Sequence, residues 1–164
     1  MGLSDMARPA EPCNEARLTY TDGTSRTVYT TDVEKAFPEG RLIVSRTDLN
    51  GIITHANDAF VEMSGYSREE LIGAPHHILR HPDMPKIAFK GLWDDMAARK
   101  KWHGYVKNLR KDGAYYWVYA TAVPNIRNGE VVGYTSVRRK PSRTRINELI
   151  PVYAQWLADE KAAS

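Results

Sequence analysis

The stretch TDLNGIITHANDAF at residues 47–60 contains a turn, a β-prone run and a helix start in immediate succession. The turn residues DLNG at 48–51 separate the β-prone runs LIVS and IITHA, and their Asn-Gly pair can enter the left-handed conformation of a tight turn. Asn57 or Asp58 can then cap a helix through a side-chain oxygen. The stretch therefore predicts a β-hairpin that leads directly into a short helix ending at Ser64-Gly65.

The next residues carry further helix signals. Ser67, followed three residues later by Glu70, matches a capping box and predicts a second short helix. After Pro85, apolar residues recur at three- and four-residue spacing, which predicts an amphipathic helix to near Ala98. Trp93 falls on its apolar stripe and is expected to be a core or edge aromatic.

The second half of the chain is rich in strand signals. Three strand-like segments, WHGYVKNLR, AYYWVYATAVPNI and EVVGYTSVRR, are joined by the turn sequences KDG and RNG. Apolar residues at helical spacing then run from Arg143 to about Glu160. This order predicts an α+β domain in which a five-stranded antiparallel sheet keeps its short helices on one face and a C-terminal helix follows. A cleft between helices and sheet could hold a flat ligand.

Three regions follow from these signals. Residues 1–40 are expected to form an N-terminal extension that is partly flexible, with a candidate hairpin or cap around Asp22-Gly23. Residues 41–140 form the main domain, and residues 141–164 form a linker and an amphipathic helix.

Composition limits the functional classes. The apolar fraction of 42% is close to the globular average. No run of apolar residues approaches the roughly 20 that span a bilayer. A soluble, cytoplasmic chain without a membrane span is therefore expected. The net charge of +3 is small, and the basic cluster at residues 138–145 is more simply a solvated segment than a nucleic-acid surface. The single cysteine, Cys13, rules out an intramolecular disulfide and a multi-cysteine metal site.

No enzyme signature is present. The sequence has no nucleophile elbow, no phosphate-cradling glycine loop and no paired carboxylates in a recognisable setting, so no catalytic residues are assigned. His77 and His81 lie four residues apart, but no carboxylate or cysteine cluster completes a metal site.

The run RHPDMP at residues 80–85 is interrupted by two prolines and predicts a short helical turn that leads into a loop.

Residues 42–140 resemble the PAS family, and more closely the sensory PAS domain of bacterial aerotaxis receptors. The sequence motifs TDLNGIITHANDAF and SGYSREELIG are general to the family, whereas the motifs PHHILRHPDMP and VKNLRKDGAYYWV are specific to the aerotaxis group. The resemblance implies a PAS fold and noncovalently bound FAD whose redox state reports respiration and oxygen supply. It thus implies a redox sensor of aerotaxis and chemotaxis, with the flavin coupled to the sheet and the C-terminal helix.

The RHPD run falls on three residues that the resemblance assigns to the cofactor. They are Arg80, His81 and Asp83. A guanidinium can pair with a pyrophosphate in a forked geometry, while Asp83 can orient Arg80 or accept from a ligand hydroxyl. A plain structural turn is the alternative for this run.

Three further positions match family cofactor residues. Asn57 could hydrogen-bond the flavin or its ribityl chain, serve as a helix cap, or do both. The indole of Trp102 can stack on a flat ring, and the amide of Asn108 is expected to face the ligand from the sheet.

Two other functions remain open at this stage. Some PAS domains hold heme through a histidine, and others act as cofactor-free dimerisation modules, so a homodimer is a candidate assembly. No cysteine occurs between Leu42 and Lys140, which excludes a cysteinyl flavin adduct.

Overall fold

A computed structural model describes residues 2–163 of the chain. Strands β1 (Asn14–Thr19) and β2 (Ser25–Thr30) form a separate antiparallel hairpin around the expected turn. The main sheet has five strands in the order β4-β3-β7-β6-β5, and all its pairs are antiparallel. Its strands are β3 (Ile43–Thr47), β4 (Ile53–Ala56), β5 (Trp102–Leu109), β6 (Tyr115–Arg127) and β7 (Glu130–Arg139). The predicted five-stranded antiparallel sheet is confirmed.

The helices of the first half are short and capped as predicted. Helix α1 (Asp58–Ser64) begins at the Asn57 cap and ends at Gly65, whose φ of 76° is left-handed. Helix α2 (Arg68–Leu71) has both bonds of the Ser67–Glu70 capping box. The remaining helices are two 3-10 helices, His76–Leu79 and Lys86–Phe89, then α3 (Leu92–Ala97) and α4 (Arg143–Ala163). None of the helices within residues 2–163 has the length and apolar content needed to cross a bilayer.

The single amphipathic helix predicted after Pro85 is wrong. Gly91 adopts a left-handed conformation with φ of 85°, which separates the 3-10 helix Lys86–Phe89 from α3. Because this break changes the direction of the chain, the apolar stripe does not stay on one face. Trp93, expected to be a core or edge aromatic, is therefore 63% exposed, and its ring contacts Tyr134 of the central strand β7.

The sheet is covered on both faces. Residues alternate between faces along β6, so Tyr116 and Val118 face the short helices whereas Trp117 faces the opposite side. We call these the inner and outer faces. Helix α4 packs on the outer face, where Tyr153 contacts the ring of Trp117. The short helices lie on one face as predicted, and α4 adds a layer on the other.

The residues before the main sheet pack against one end of it. Met6 and Val28 are buried against Leu109 of β5. The Thr31 backbone N–H donates to the Gly113 carbonyl at 2.9 Å, in the turn between β5 and β6. The N-terminal region therefore contacts the end of the sheet at which this turn lies.

Gly133 of β7 occupies a position without room for a side chain. A Cβ atom there would lie 2.2 Å from the carbonyl oxygen of Thr47 in β3. We expect Gly133→Ala to lower the free energy of unfolding by about 2 kcal/mol or more, because the two strands must separate. Urea unfolding followed by circular dichroism measures the change. Val132→Ala, at the exposed neighbouring position, is the control and should change stability by less than about 0.5 kcal/mol; equal stability of the two variants would contradict this packing.

Candidate functional site

Two of the sequence-predicted site residues lie on the inner face of the sheet. Trp102 and Asn108 are both on β5, and both are 7% exposed. They lie opposite Ala122 and Tyr116 of β6, respectively, so they share a face with these residues. The structure thus places an indole and an amide in the interior between the sheet and the short helices.

Trp102 is held in a stack that also includes Arg80. The indole Nε1 donates to the Lys90 carbonyl at 3.2 Å, and the ring stacks on Phe89 with centroids 6.2 Å apart. The Arg80 guanidinium lies 5.1 Å from the centre of the Phe89 ring. On its other side the indole lies close to Gly104, where a Cβ would come within 2.4 Å of the ring. Arg80 and Trp102 are therefore joined through Phe89.

The RHPDMP turn is attached to the free edge of β5. The Arg80 backbone forms an isolated antiparallel bridge with Asn108. Its side-chain Nη2 donates to the Met84 carbonyl at 2.9 Å, which closes the turn. Burial lowers the pKa of Arg80, and the nearby Glu160 opposes this change. Arg80 and Asn108 are thus neighbours along the backbone.

His81 and Asp83 lie on the outer side of the same edge. The Asp83 backbone N–H donates to His81 Nδ1 at 3.0 Å, and the Asp83 carboxylate pairs with Lys107 at 2.9 Å. Lys107 alternates with Asn108 on β5 and lies over the ring of Tyr115, 4.3 Å from its centre. Burial, followed by the charge of Lys107, lowers the pKa of His81 to about 4. The structure therefore does not bring His81 and Asp83 together with Trp102 and Asn108.

Asn57 uses its amide for local structure. Its Oδ1 accepts from the N–H groups of Phe60 and Val44, both at 3.1 Å. Its Nδ2 donates to the Leu42 carbonyl at 2.9 Å. These bonds join the start of α1 to β3, and none of them involves another predicted site residue.

A cavity of about 240 Å³ lies between α4 and the outer face. Its volume is below the roughly 300–1,000 Å³ typical of small-molecule sites. The residues that line it are Asp83, Met84, Lys107, Trp117, Ile150, Tyr153, Ala154 and Leu157.

Arg138 is a buried charged residue that the sequence did not single out as a site candidate. It is 2% exposed, on the inner face of β7. Its Nη1 donates to Ser45 Oγ at 2.8 Å, and the guanidinium lies 4.6 Å from the centre of the Phe60 ring. In the described residues, 2–163, its Nε and Nη2 have no hydrogen-bond partner. Burial lowers the pKa of Arg138 to about 10, which still leaves a cation at neutral pH.

Other interior groups around Arg138 are neutral. Burial raises the pKa of Tyr116 to about 12, and the charge of Arg138 opposes that rise. Burial lowers the pKa of His76 to about 3, with a further contribution from Arg138. The hydroxyls of Tyr116 and Tyr66 have no hydrogen-bond partner within the part of the chain that the structure describes. The interior thus holds several polar groups without a partner among the described residues.

The strand parity of β7 is the signal that could have identified Arg138. Arg138 and Tyr134 point to the same face, because their numbers differ by an even count along the strand. An arginine at an inward position is unusual unless it has a partner. The sequence suggested only a solvated basic cluster, and for Arg138 that interpretation is wrong, because the residue is buried.

The N-terminal hairpin closes part of the interior. The ring of Tyr20 stacks on His77 with centroids 3.9 Å apart. Arg26, which is buried, donates from Nε to the Tyr20 hydroxyl and from Nη2 to the Ile78 carbonyl, each at 2.9 Å. The hairpin therefore covers the first 3-10 helix, next to the RHPDMP turn.

Comparison with known proteins identifies relatives of this arrangement. A family model described as the PAS fold matches residues 53–138. The aerotaxis receptor of Escherichia coli K12 is 45% identical over 125 residues, which are 76% of this chain but only 25% of the receptor. The solved PAS domain of a Colwellia psychrerythraea protein is 28% identical with a TM-score of 0.56, covering 62% of this chain and 87% of that one. The light-state structure of the blue-light photoreceptor Aureochrome1 LOV, at 22% identity, has a TM-score of 0.57 over 73% of this chain and 91% of that one, and it shows the fold alone.

The neutral state of the half-buried His76 predicts how stability depends on pH. His76 faces Arg138, Ser45 and His77, and its pKa of about 3 is below the 6.5 of an unperturbed histidine. Between these values the unfolded chain binds more protons, so stability is complete above about pH 6.5 and falls as pH decreases, by at most about 1.4 kcal/mol per pH unit for one group. We expect His76→Gln to make the decrease between pH 6.5 and 5 shallower in urea unfolding. The exposed His55→Gln variant is the control, and identical slopes for all three proteins would contradict this assignment.

Proposed function

The chain belongs to the PAS fold family, and from this premise we propose that it binds FAD noncovalently and acts as a redox or oxygen-linked sensor of the aerotaxis type. One observation carries the proposal. The buried inner face presents two donors of Arg138, Nε and Nη2, that lack acceptors in residues 2–163. Because buried donors normally have partners, a ligand rich in acceptors is the expected occupant. The identity to an aerotaxis receptor supports a flavin in a signalling protein rather than in an enzyme.

The residues present fit the parts of FAD. A flavin ring has flat apolar faces and an edge of carbonyl oxygens and ring nitrogens, and it supplies reversible electron acceptance when bound. Trp102 and Phe60 offer aromatic surfaces, while Asn108 and Arg138 offer donors from two different strands of the inner face. Arg80, at the edge of β5, can pair with a pyrophosphate.

Gly104 provides the surface on which a ring can lie. The Trp102 indole now rests against it, where any side chain would collide with the indole. The interior is filled by side chains such as Trp102 and Met96, so FAD binding requires the indole to move from Gly104. The stacked contact with Phe89 and the single hydrogen bond to Lys90 are what this movement breaks.

The signal can leave the site through β5. Asn108 faces the interior, while Tyr105 and Lys107 of the same strand face the outer side. The Tyr153 hydroxyl of α4 donates to the Tyr105 carbonyl at 2.8 Å. A change at Asn108 that shifts β5 can therefore change how α4 docks, to the extent that the oxidised and reduced flavin differ in affinity for the two arrangements.

Histidine nitrogens support heme as a second candidate. Nε2 of His77 and Nε2 of His81 are buried and lack hydrogen-bond partners within residues 2–163. Burial lowers the pKa of both residues, and a neutral imidazole is the form that ligates iron. A cofactor-free dimerisation module is a third candidate, and a visible spectrum separates all three.

The deciding experiment is the absorption spectrum of purified protein before and after incubation with FAD, followed by desalting. We expect retained flavin bands in the natural protein and in Arg127→Ala and Asp94→Ala, which alter exposed positions. Arg80→Ala and Asp83→Ala should lose the bands, since the first removes a phosphate partner and the second frees His81 and Lys107 at the edge of β5. A red protein with a heme spectrum, or a protein that stays colourless, would reject the flavin proposal; full flavin occupancy in both variants would reject these two residues alone.

Trp102 is expected to contribute to FAD affinity by stacking. Trp102→Ala should weaken binding by about 1–3 kcal/mol, the range measured for one stacked ring. Fluorescence titration of apoprotein with FAD measures the dissociation constant. Trp93→Ala removes an exposed indole and serves as the control. If the affinity is the same for both variants, Trp102 has only a packing role.

A further inference from the structure

We propose that Arg138 binds one acceptor edge of the flavin ring through its Nε and Nη2 and thereby favours the reduced form of the flavin. This inference rests on the proposed FAD binding and names a residue that adjusts the redox equilibrium. It is carried by the geometry of the guanidinium, by the absence of a countercharge around it, and by the chemistry of the ligand.

The guanidinium is anchored from one side only. Nη1 donates to Ser45 Oγ at 2.8 Å and lies 3.5 Å from His76 Nε2, and the group rests on the ring of Phe60. Nε and Nη2 are adjacent donors of the rigid planar fork, and within residues 2–163 both lack partners. The anchored group therefore keeps one two-donor edge available.

The surroundings supply no negative charge. No Asp or Glu residue of the described chain forms an ion pair with Arg138. The neighbouring side chains are uncharged: Ser45, His76, Phe60 and Tyr116. An unpaired buried ion costs several kcal/mol of stability.

Another buried arginine shows what a structural role requires. The Arg110 side chain pairs with Asp112 and donates to the Met63 and Glu62 carbonyls at the end of α1. Arg110 thus has both a countercharge and backbone acceptors, and Arg138 has neither. The difference indicates that the partner of Arg138 is a ligand.

The flavin ring presents the complementary pattern. At the edge formed by N1 and the C2 carbonyl, the ring nitrogen and the oxygen both remain acceptors after reduction, because the proton is taken up at N5, so both can meet the two donors of the fork. Two-electron reduction with uptake of one proton leaves one negative charge on the ring. Because Arg138 is 2% exposed, its guanidinium stabilises this charge more than it would in water. Arg138 should hence bind reduced FAD more tightly than oxidised FAD.

The test is the midpoint potential of bound FAD, measured anaerobically during reduction with dithionite in the presence of a reference dye. In Arg138→Met we expect reduced FAD to lose at least tenfold more affinity than oxidised FAD, which lowers the midpoint potential by about 30 mV or more. Arg139→Gln, which removes one charge from the exposed neighbouring position, should leave the potential unchanged. Arg138→Lys, which keeps the charge but not the fork, should weaken binding with a smaller shift.

A second readout uses the protein without flavin. Replacing an unpaired buried ion with an apolar side chain of similar volume removes the cost of keeping that charge out of water. We therefore expect Arg138→Met apoprotein to unfold at the same or a higher temperature than natural apoprotein, whereas added FAD should raise its melting temperature less.

The midpoint potential and the melting temperature together distinguish a wrong role for Arg138 from a wrong proposal of FAD binding. An unchanged potential in flavin-loaded Arg138→Met would overturn the inference, as would an apoprotein that fails to fold or melts earlier, because Arg138 would then be structural. If Arg138→Met folds but retains no FAD, the role of Arg138 in FAD binding is supported. The midpoint potential is then measured in Arg138→Lys. Failure of the natural protein itself to take up FAD would instead reject the proposed function.

Discussion

Strand β6 is buried on both faces, and this constraint organises the rest of the structure. Tyr116 and Val118 need cover on the inner face, and Trp117 needs it on the outer face. Since one layer of helices can cover only one face, the short helices and α4 take opposite sides. Tyr153 of α4 then contacts Trp117 directly. The strands that line the proposed cofactor site are therefore also the strands on which the C-terminal helix rests.

The edge of β5 connects these two sides. Arg80 bridges Asn108 and reaches the aromatic stack of the interior, while Asp83, three residues later, pairs with Lys107 on the outer face. The RHPDMP turn thus wraps the edge instead of lying within one pocket. Its two halves have different roles in the proposal: one binds the ligand, and the other fixes β5 next to α4.

Interior polarity distinguishes this domain from one built for stability alone. Arg138 and Tyr116 keep unpartnered donors in the described interior, at a cost that apolar residues would avoid. Local rules of packing are commonly broken where a protein functions. The same groups that weaken the empty domain are those that an acceptor-rich ligand would satisfy, so stability and binding are expected to respond in opposite directions.

Local chemistry explains what the sequence alone determined. The Asn57 cap, the Ser67–Glu70 capping box and the hairpin turns depend on residues a few positions apart, so the strands and first helices were predictable. The candidate site residues were inferred from a resemblance and stay a prediction. Only the tertiary structure decided which face each residue occupies. Trp93 is exposed because Gly91 changes the direction of the chain, whereas Arg138 is buried on the inner face. Burial depends on distant segments of the chain, which short-range patterns do not describe.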